Sequence, residues 1–325
     1  MPADSNSCNS CMRSRTVLQR ISYSPPLRRL IMKYIPSGAL NELMFLLTRL
    51  KTRKITRIFE QAPENPAWLG MDTLESLQQE YPSPPDYGRD SQSREARGRN
   101  RANEILRMID DKRDTMNSFL ELGCWDGLTS YFLKRMGKMA TAIDIRVDSF
   151  DDKAMREGVT FLRMDAAHLQ FNDETFDCVF SYNAFEHFAE PERVLQEVIR
   201  VVRKGGYVYL VFGPLYMSPK GSHGYRSISV PYHHLLFPKE LLEAFAHANG
   251  LRPITCSGLN MWSVEDYRNL WSRYSHRLRK VRYREAYNPL HVDLIARFPS
   301  CFKSKTKCLD NLIVSDIEAL FEKTR

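Results

Sequence analysis

Apolar and polar residues alternate regularly from residue 118 onward. Short runs that are mostly apolar predict strands buried on both faces, and the stretches between them carry apolar residues at helical spacing. This alternation predicts an α/β fold, in which a mostly parallel sheet has helices on both faces. Strands are expected at 119–122, 139–145, 159–164, 176–182, 207–212, 280–286 and 311–322.

Helices are predicted between these strands and around them. The clearest runs from Pro191 to Val202, because its apolar residues share one face and Glu192 places a negative charge in the first turn. Gly250 and Ser263 mark the end of one helix and the start of another. The helices are expected at 94–111, 129–136, 191–202, 238–249, from 263 onward and at 291–298.

The pattern upstream of residue 94 differs from the rest. Residues 1–22 are polar and are predicted to be disordered, residues 27–59 favour one or two basic amphipathic helices, and the many prolines of residues 62–90 predict a linker or a loop-rich cover. We therefore divide the chain into an N-terminal extension with its linker at 1–93 and a folded domain at 94–325.

Charge is concentrated in the extension. Residues 1–60 contain 11 basic and three acidic residues, an excess equal to the net charge of +8 of the whole 325-residue chain. The rest is balanced, which argues against nucleic-acid binding by the protein as a whole. For residues 27–59 we favour a helix docked on the domain, and attachment to an anionic membrane surface or contact with a polyanionic substrate are the alternatives.

Cysteine usage and hydropathy indicate a cytoplasmic protein. The seven cysteines are an odd number and are scattered, which favours reduced thiols. Cys8 and Cys11 form a lone C-x-x-C without a second pair at zinc-ligand spacing, so we predict no metal there. The sequence has no run of 18 apolar residues, and no transmembrane helix is expected.

One stretch suggests a ligand site. The predicted strand at 119–122 is followed by Gly123 and Gly127, which bracket a tight turn, and a helix begins near Thr129. A strand, a glycine turn and a helix start form a site for a nucleotide-like ligand. A dinucleotide, a phosphate or an adenosyl group would each fit this turn.

Five short motifs follow each other along the chain: Leu120-Glu-Leu-Gly-Cys-Trp-Asp-Gly127, Ala142-Ile-Asp-Ile145, Met164-Asp-Ala166, Thr175-Phe-Asp-Cys-Val-Phe-Ser-Tyr-Asn-Ala-Phe-Glu-His187 and Val202-Arg-Lys-Gly-Gly-Tyr-Val208. Together they resemble the motifs of class I S-adenosylmethionine-dependent methyltransferases of the type 11 family. The resemblance covers about residues 118–212. It implies a Rossmann-like fold with a seven-stranded sheet, S-adenosylmethionine as cofactor and methyl transfer as activity. Trp125 stands where the family's E-x-G-x-G-x-G motif usually has its middle glycine.

The resemblance and the strand-end positions together assign cofactor contacts. Asp144 lies about 20 residues beyond the turn, as an acceptor for ribose hydroxyls should. Asp165 can accept a hydrogen bond from the adenine amino group, and Glu121 can orient the turn and interact with the amino end of the cofactor. The expected cofactor-binding residues are Glu121, Gly123, Cys124, Trp125, Gly127, Asp144, Ile145, Asp165, Ala166 and Asn183.

Three histidines are candidates for the catalytic base. Methyl transfer to a hydroxyl needs a proton acceptor close to the carboxyl ends of the strands, and imidazole has a suitable pKa. His187 follows the fourth strand, and His223 and His233 lie in the long segment after the fifth. No acidic cluster accompanies the histidines in the sequence, so we predict no metal.

The acceptor is predicted from the segment at 213–237, which is too long for an ordinary connection. Its aromatic, hydroxyl and imidazole groups suggest a substrate cover for a small-molecule acceptor, with a sugar-like or glycoside hydroxyl favoured. The alternatives are an RNA methyltransferase that uses the basic extension and a non-catalytic binding protein with this fold. The strand-four motif lacks the Asn/Asp-Pro-Pro-Tyr pattern of nucleic-acid amino methyltransferases, and the Asp165-Ala166 pair argues against a nicotinamide dehydrogenase.

Overall fold

A computed structural model describes residues 50, 52–82, 90–252, 256 and 258–324. The predictions for residues 1–22, and those for the amphipathic segment apart from residues 50 and 52–59, lie outside the described residues. The chain divides into two compact units by its internal contacts. The first combines the described residues of 1–83 with 225–254 and 287–313, and the second combines those of 84–224, 255–286 and 314–325.

A seven-stranded sheet forms the centre of the second unit. The strand order is β3-β2-β1-β4-β5-β7-β6. Neighbouring strands from β3 to β5 run parallel, and β7 pairs antiparallel with β5. The predicted mostly parallel sheet is therefore confirmed. The strands are β1 Ser118–Leu122, β2 Met139–Asp144, β3 Thr160–Arg163, β4 Phe176–Tyr182, β5 Val202–Phe212, β6 Leu278–Tyr287 and β7 Val314–Lys323.

Helices precede and separate these strands in the sequence, and residues 52–60 are also helical. Among the described residues, no helix is both long and apolar enough to cross a membrane. The helices are α1 Met71–Glu80, α2 Ser91–Met108, α3 Leu128–Arg135, α4 Asp152–Arg156, α5 Pro191–Val201, α6 His233–Leu236, α7 Lys239–Ala248, α8 Val264–Arg273, α9 Val292–Arg297, α10 Pro299–Lys303 and α11 Asp310–Ile313.

Packing of α2 and α3 on the sheet fixes the position of β1 and β4. Side chains alternate between the faces of a strand, so Phe180 of β4 and Phe119 of β1 face one core cluster with Ile105 of α2 and Leu133 of α3. All seven residues of β4 are buried, as expected of a central strand covered on both faces. The carboxyl ends of these strands are thereby held in a rigid frame.

Two predicted boundaries are wrong for local reasons. The fifth strand is predicted at 207–212, but β5 already begins at Val202, and a register shift between Phe176 and Cys178 accommodates the glycines at 205 and 206 as a bulge. The last strand is predicted at 311–322, yet the short helix α11 occupies residues 310–313 and β7 starts at Val314.

The first unit incorporates part of the proline-rich segment. Helix α1 buries Leu74 and Leu77, and the Leu69 amide donates a hydrogen bond of 2.9 Å to the carbonyl oxygen of Leu236. The buried Tyr232 hydroxyl donates to the Leu312 carbonyl at 2.9 Å. Backbone and side-chain contacts therefore join three separated stretches of the chain within this unit.

Candidate active site

A cavity of about 580 Å³ opens at the carboxyl ends of the parallel strands in the second unit. Ligands bind at this edge in open α/β sheets. Seven of the residues predicted to bind the cofactor line its wall, and so does His187. These seven are Gly123, Trp125, Asp144, Ile145, Asp165, Ala166 and Asn183.

The turn after β1 depends on backbone conformations that favour glycine. Gly123 has φ +63°, and a Cβ added there would lie 2.4 Å from the Cβ of Ala184, which leaves no room for another residue. Trp125 also has a left-handed φ of +50°, which explains why a glycine suits this position. The Trp125 backbone is strained by about 1–2 kcal/mol. Its side chain is 67% exposed and lines the cavity, so the indole is available to a ligand.

Asp144 is fixed at the cavity wall by the backbone. Its Oδ2 accepts a hydrogen bond from the Trp125 amide and its Oδ1 accepts one from the Arg146 amide, both at 3.0 Å. Each carboxylate oxygen has a second lone pair. The oriented carboxylate can therefore accept from two neighbouring hydroxyls of a ribose.

Asp165 occupies the corresponding place after β3. Its Oδ1 accepts from the Ala167 amide at 2.9 Å, and its Oδ2 lies 3.3 Å from Nδ1 of His168. The side chain is 58% exposed and lines the same cavity as Asp144. An acceptor at this point suits an exocyclic amino group such as that of adenine. The two carboxylates, the glycine turn and the aromatic ring therefore fit an adenosyl ligand.

Three other predicted cofactor residues lie behind the turn. The wall formed by the described residues does not include Glu121, Cys124 or Gly127. Glu121 accepts from the Ser130 hydroxyl at 2.6 Å and the Ser130 amide at 3.2 Å, and burial raises its pKa to about 7. The Cys124 side chain is buried in the core, and a Cβ on Gly127 would collide with the Phe161 ring at 2.3 Å. All three shape the turn.

Sequence reasoning missed the rest of the wall. Ile143, Met164 and Ala184 lie inside the quoted motifs, and most of the others lie within a few positions of a motif residue, so extending each motif along the chain would have found them. Gly258 is distant in sequence from every motif, and the sequence carries no signal for it. The missed residues are Ile143, Arg146, Ser149, Met164, Ala167, Ala184, Phe188, Ala189, Glu190, Val194 and Gly258.

Next to this wall lies a group that we call the acceptor cluster: Glu186, His187 and His223. A ring nitrogen of each histidine and a carboxylate oxygen lie within 4.8 Å of one another. The two imidazole rings meet edge to face, with centroids 4.9 Å apart. Glu186 and His187 belong to the turn after β4, and His223 comes from the segment after β5, where its φ is +57°. The structure thus brings together two of the three predicted bases.

Backbone carbonyls fix the protons of both imidazoles. His187 Nδ1 lies 2.6 Å from the Gly258 oxygen, and His223 Nε2 lies 2.9 Å from the Pro214 oxygen. A carbonyl can only accept, so both nitrogens carry a proton. Burial lowers the pKa of His223, which favours its neutral form. In the neutral rings, His187 Nε2 and His223 Nδ1 have free lone pairs.

Glu186 is buried and only partly satisfied. Its Oε1 accepts from the Gly213 amide at 3.3 Å and lies 3.9 Å from His187 Nε2. Its Oε2 is buried and has no hydrogen-bond partner among the described residues. Burial raises the Glu186 pKa to about 8, so an isolated Glu186 would be protonated at neutral pH.

His233 is in a different environment. It belongs to the first unit, is 1% exposed, and its Nδ1 lies 2.9 Å from the Val230 oxygen. Burial lowers its pKa to about 4. The wall formed by the described residues does not include it. The predicted cover at 213–237 is divided in the same way, since residues 213–224 belong to the second unit and 225–237 to the first.

Comparison with known proteins finds the same domain. Residues 120–210 match the family described as "Methyltransferase domain". The ubiquinone biosynthesis O-methyltransferase of Coxiella burnetii is 24% identical over 162 residues, which cover 43% of this chain and 66% of that protein. The protein of that name from Rhizobium rhizogenes is 29% identical over 172 residues, with coverages of 46% and 66%. The chain thus spans slightly less than two thirds of the length of these relatives.

A solved structure is also similar. It is described as an S-adenosylmethionine dependent methyltransferase from Listeria monocytogenes, is 12% identical, and is covered completely by 71% of this chain with a TM-score of 0.45.

The family match and the described site agree in position. The matched residues 120–210 contain most of β1, all of β2, β3 and β4, most of β5, the glycine turn and both cavity carboxylates. These five strands are neighbours in the sheet, in the order β3-β2-β1-β4-β5. Over residues 120–210 the chain is thus similar to a methyltransferase domain, and the described sheet around them is mostly parallel.

Proposed function

We propose that this chain transfers a methyl group from S-adenosylmethionine to a hydroxyl oxygen of a small polar acceptor. The observation that carries the proposal is the pair His187 and His223: His187 lines the cavity together with Asp144 and Asp165, and a ring nitrogen of His223 lies within 4.8 Å of one of His187. A hydroxyl needs a proton acceptor during transfer, whereas a neutral amine already has a free lone pair. An imidazole beside the cavity therefore suits a hydroxyl acceptor better than an amine acceptor.

Different residues of the cavity bind different parts of the cofactor. Asp144 accepts from the ribose hydroxyls, Asp165 accepts from the adenine amino group, and Trp125 packs against the ligand. The cofactor supplies the methyl group on a positively charged sulfur. Because the reaction is an in-line displacement, the main task of the protein is to align the acceptor oxygen with that methyl group.

His187 is the proton acceptor in this proposal, because it lines the cavity and its Nε2 is free. The O–H bond of the acceptor breaks and its proton passes to Nε2. An oxygen lone pair forms the new O–C bond while the C–S bond breaks, and its electron pair stays on sulfur as a neutral thioether. The imidazolium then releases its proton to solvent.

The acceptor class has two sources of support. The relatives from Coxiella burnetii and Rhizobium rhizogenes are named O-methyltransferases, which supports oxygen as the methylated atom. The polar segment after β5 favours a sugar-like or glycoside hydroxyl, although Ser218 and Ser222 in it are buried and their hydroxyls are not exposed to a substrate. Phenolic and sugar hydroxyls therefore both belong in an acceptor screen.

The test is a methyl-transfer screen with the full chain. Methyl-labelled S-adenosylmethionine is incubated with a glycoside, a vicinal phenolic diol, a primary amine and a structured RNA, and Asp144→Ala serves as the cofactor-deficient control. We expect label in an ether product of a hydroxyl acceptor and none with Asp144→Ala. Label confined to the amine or the RNA, or no label while S-adenosylhomocysteine binds normally, would contradict the proposal.

A further inference from the structure

We propose that the acceptor cluster is a site for a divalent transition-metal ion, held by Glu186, His187 and His223. Its role, which rests on the proposed function, is to bind the acceptor hydroxyl beside the cofactor. The sequence predicts no metal because no acidic cluster accompanies the histidines; Glu186 and His223 come together only in the folded chain.

The geometry is close to that of a metal site. The ligand atoms lie within 4.8 Å of one another. Nitrogen and oxygen ligands bind zinc at about 2.0–2.2 Å in a tetrahedral arrangement, so two ligand atoms of one ion lie about 3.3–3.6 Å apart. Movements of about 1 Å at the side-chain tips would bring the three ligand atoms to this spacing.

The hydrogen bonds around the histidines have the form of a metal-ligand support. A metal-bound histidine usually donates its other N–H to a carbonyl or a carboxylate, which fixes the ring and its tautomer. His187 donates to the Gly258 carbonyl and His223 to the Pro214 carbonyl. The second nitrogen of each neutral ring, His187 Nε2 and His223 Nδ1, is then unprotonated and able to bind a cation.

Glu186 provides a second, independent observation. It is 2% exposed, and its buried Oε2 has no partner among the described residues. A buried polar atom without a hydrogen-bond partner destabilises the folded state. Neighbouring lone pairs of the carboxylate and the two imidazoles destabilise it further when no proton or cation lies between them. Either a cation or a proton on Glu186 would relieve this cost, so these two occupants are the alternatives that an experiment must separate.

The ligand set limits the kind of ion. Two imidazoles and one carboxylate suit Zn²⁺, Mn²⁺, Fe²⁺, Co²⁺ or Ni²⁺, whereas Mg²⁺ and Ca²⁺ prefer oxygen ligands. Three protein ligands leave coordination positions open for a substrate oxygen. An acceptor with two neighbouring oxygens could occupy two of them. The bound hydroxyl would then lose its proton to solvent water instead of to His187, because the ion occupies the Nε2 lone pair.

The experiment titrates the chelator-treated full chain with Co²⁺ and records the visible absorption of the bound ion. We expect saturation at one ion per chain and displacement by Zn²⁺. Glu186→Gln and His223→Ala should each weaken Co²⁺ binding at least tenfold. His276→Ala is the matched control, since it removes an exposed histidine whose Nδ1 also contacts a carbonyl, that of Arg273.

S-adenosylhomocysteine affinity, measured by calorimetry, shows that each variant is folded. The proposal is overturned if folded wild-type protein binds no stoichiometric Co²⁺, or if Glu186→Gln and His223→Ala bind it as tightly as wild type. Metal-free protein that methylates a hydroxyl at full rate and binds no Co²⁺ refutes this site and leaves the proposed function intact. One tightly bound Co²⁺ without transfer to any hydroxyl supports the site and refutes the function.

Discussion

The cofactor end of the cavity and the acceptor cluster beside it are built in different ways. At the cofactor end, Asp144 and Asp165 follow adjacent strands, and backbone amides donate to each carboxylate. In the acceptor cluster, side chains from two distant loops meet, and Glu186 keeps an oxygen without a partner among the described residues. At the cofactor end, backbone hydrogen bonds orient the carboxylates before a ligand binds. The acceptor cluster requires a cation or a proton at Glu186, and we propose that methyl transfer takes place beside it.

The largest expected effect lies at the acceptor cluster. His187→Ala removes the proposed proton acceptor, which is also a ligand of the proposed metal site, so in either role its loss should lower kcat for a hydroxyl acceptor by about 10²–10⁴-fold. Affinity for S-adenosylhomocysteine should stay within about threefold, because the two ends act separately in this account. Steady-state kinetics and calorimetry measure the two quantities. An equal loss in both would show that the ends are not separate.

A substitution at the cofactor end should weaken the binding of S-adenosylhomocysteine, which the substitution at His187 leaves nearly unchanged. Asp144→Ala removes a charged acceptor for two hydroxyls, and hydrogen bonds to charged groups contribute about 1.5–3 kcal/mol each, so S-adenosylhomocysteine should bind about 100-fold more weakly or worse. Asp148→Ala is the control, since Asp148 is exposed and pairs with the Arg146 side chain. Unchanged affinity of Asp144→Ala in calorimetry would remove the ribose assignment.

Glu121 makes the stability of the cofactor end depend on pH. Burial raises its folded-state pKa from 4.5 to about 7, so its contribution is complete below pH 4.5 and is lost as the pH rises through 7. The free energy of unfolding should fall by up to about 3 kcal/mol over this range. Denaturant melts of Glu121→Gln should show a flatter pH dependence than wild type. The exposed Glu157→Gln should keep the wild-type slope, and a flat wild-type profile would contradict the assignment.

The smallest effect tests the close contact in the glycine turn. Gly123→Ala and Gly137→Ala both place a Cβ at a positive φ, but only at Gly123 does it meet another atom, the Ala184 Cβ at 2.4 Å. The contact should therefore cost Gly123→Ala about 2 kcal/mol more in stability than Gly137→Ala, measured by denaturant melts. Equal losses of stability in the two variants would mean that the positive φ alone disfavours alanine at Gly123 and that the contact with Ala184 adds no cost.

The residues of the cofactor end could be proposed from the sequence because the patterns that indicate them are local. A buried strand is a short apolar run, and a carboxylate at its end adjoins that run in sequence. The turn at Gly123 and the acids at Asp144 and Asp165 could therefore be placed before the fold was known. Trp125 departs from the family motif, and its left-handed backbone explains how one position can require a glycine conformation and still hold an aromatic side chain.

The acceptor cluster could not be predicted in the same way. His187, His223 and His233 looked equivalent in sequence, since each follows a strand in a polar loop. Their positions depend on the path that the chain takes after β5. His223 contacts His187, whereas His233 is buried in the first unit. Gly258, whose carbonyl fixes the His187 tautomer, also comes from a distant segment. Such contacts depend on tertiary packing, which leaves no periodic pattern.

The most direct test of the account is a crystal structure of the full chain with S-adenosylhomocysteine. We predict that the ribose hydroxyls contact Asp144, that the adenine amino group contacts Asp165, and that the sulfur faces the acceptor cluster at Glu186, His187 and His223. Density for the ligand at another place, or a ligand in this cavity whose sulfur points away from His187, would contradict the account.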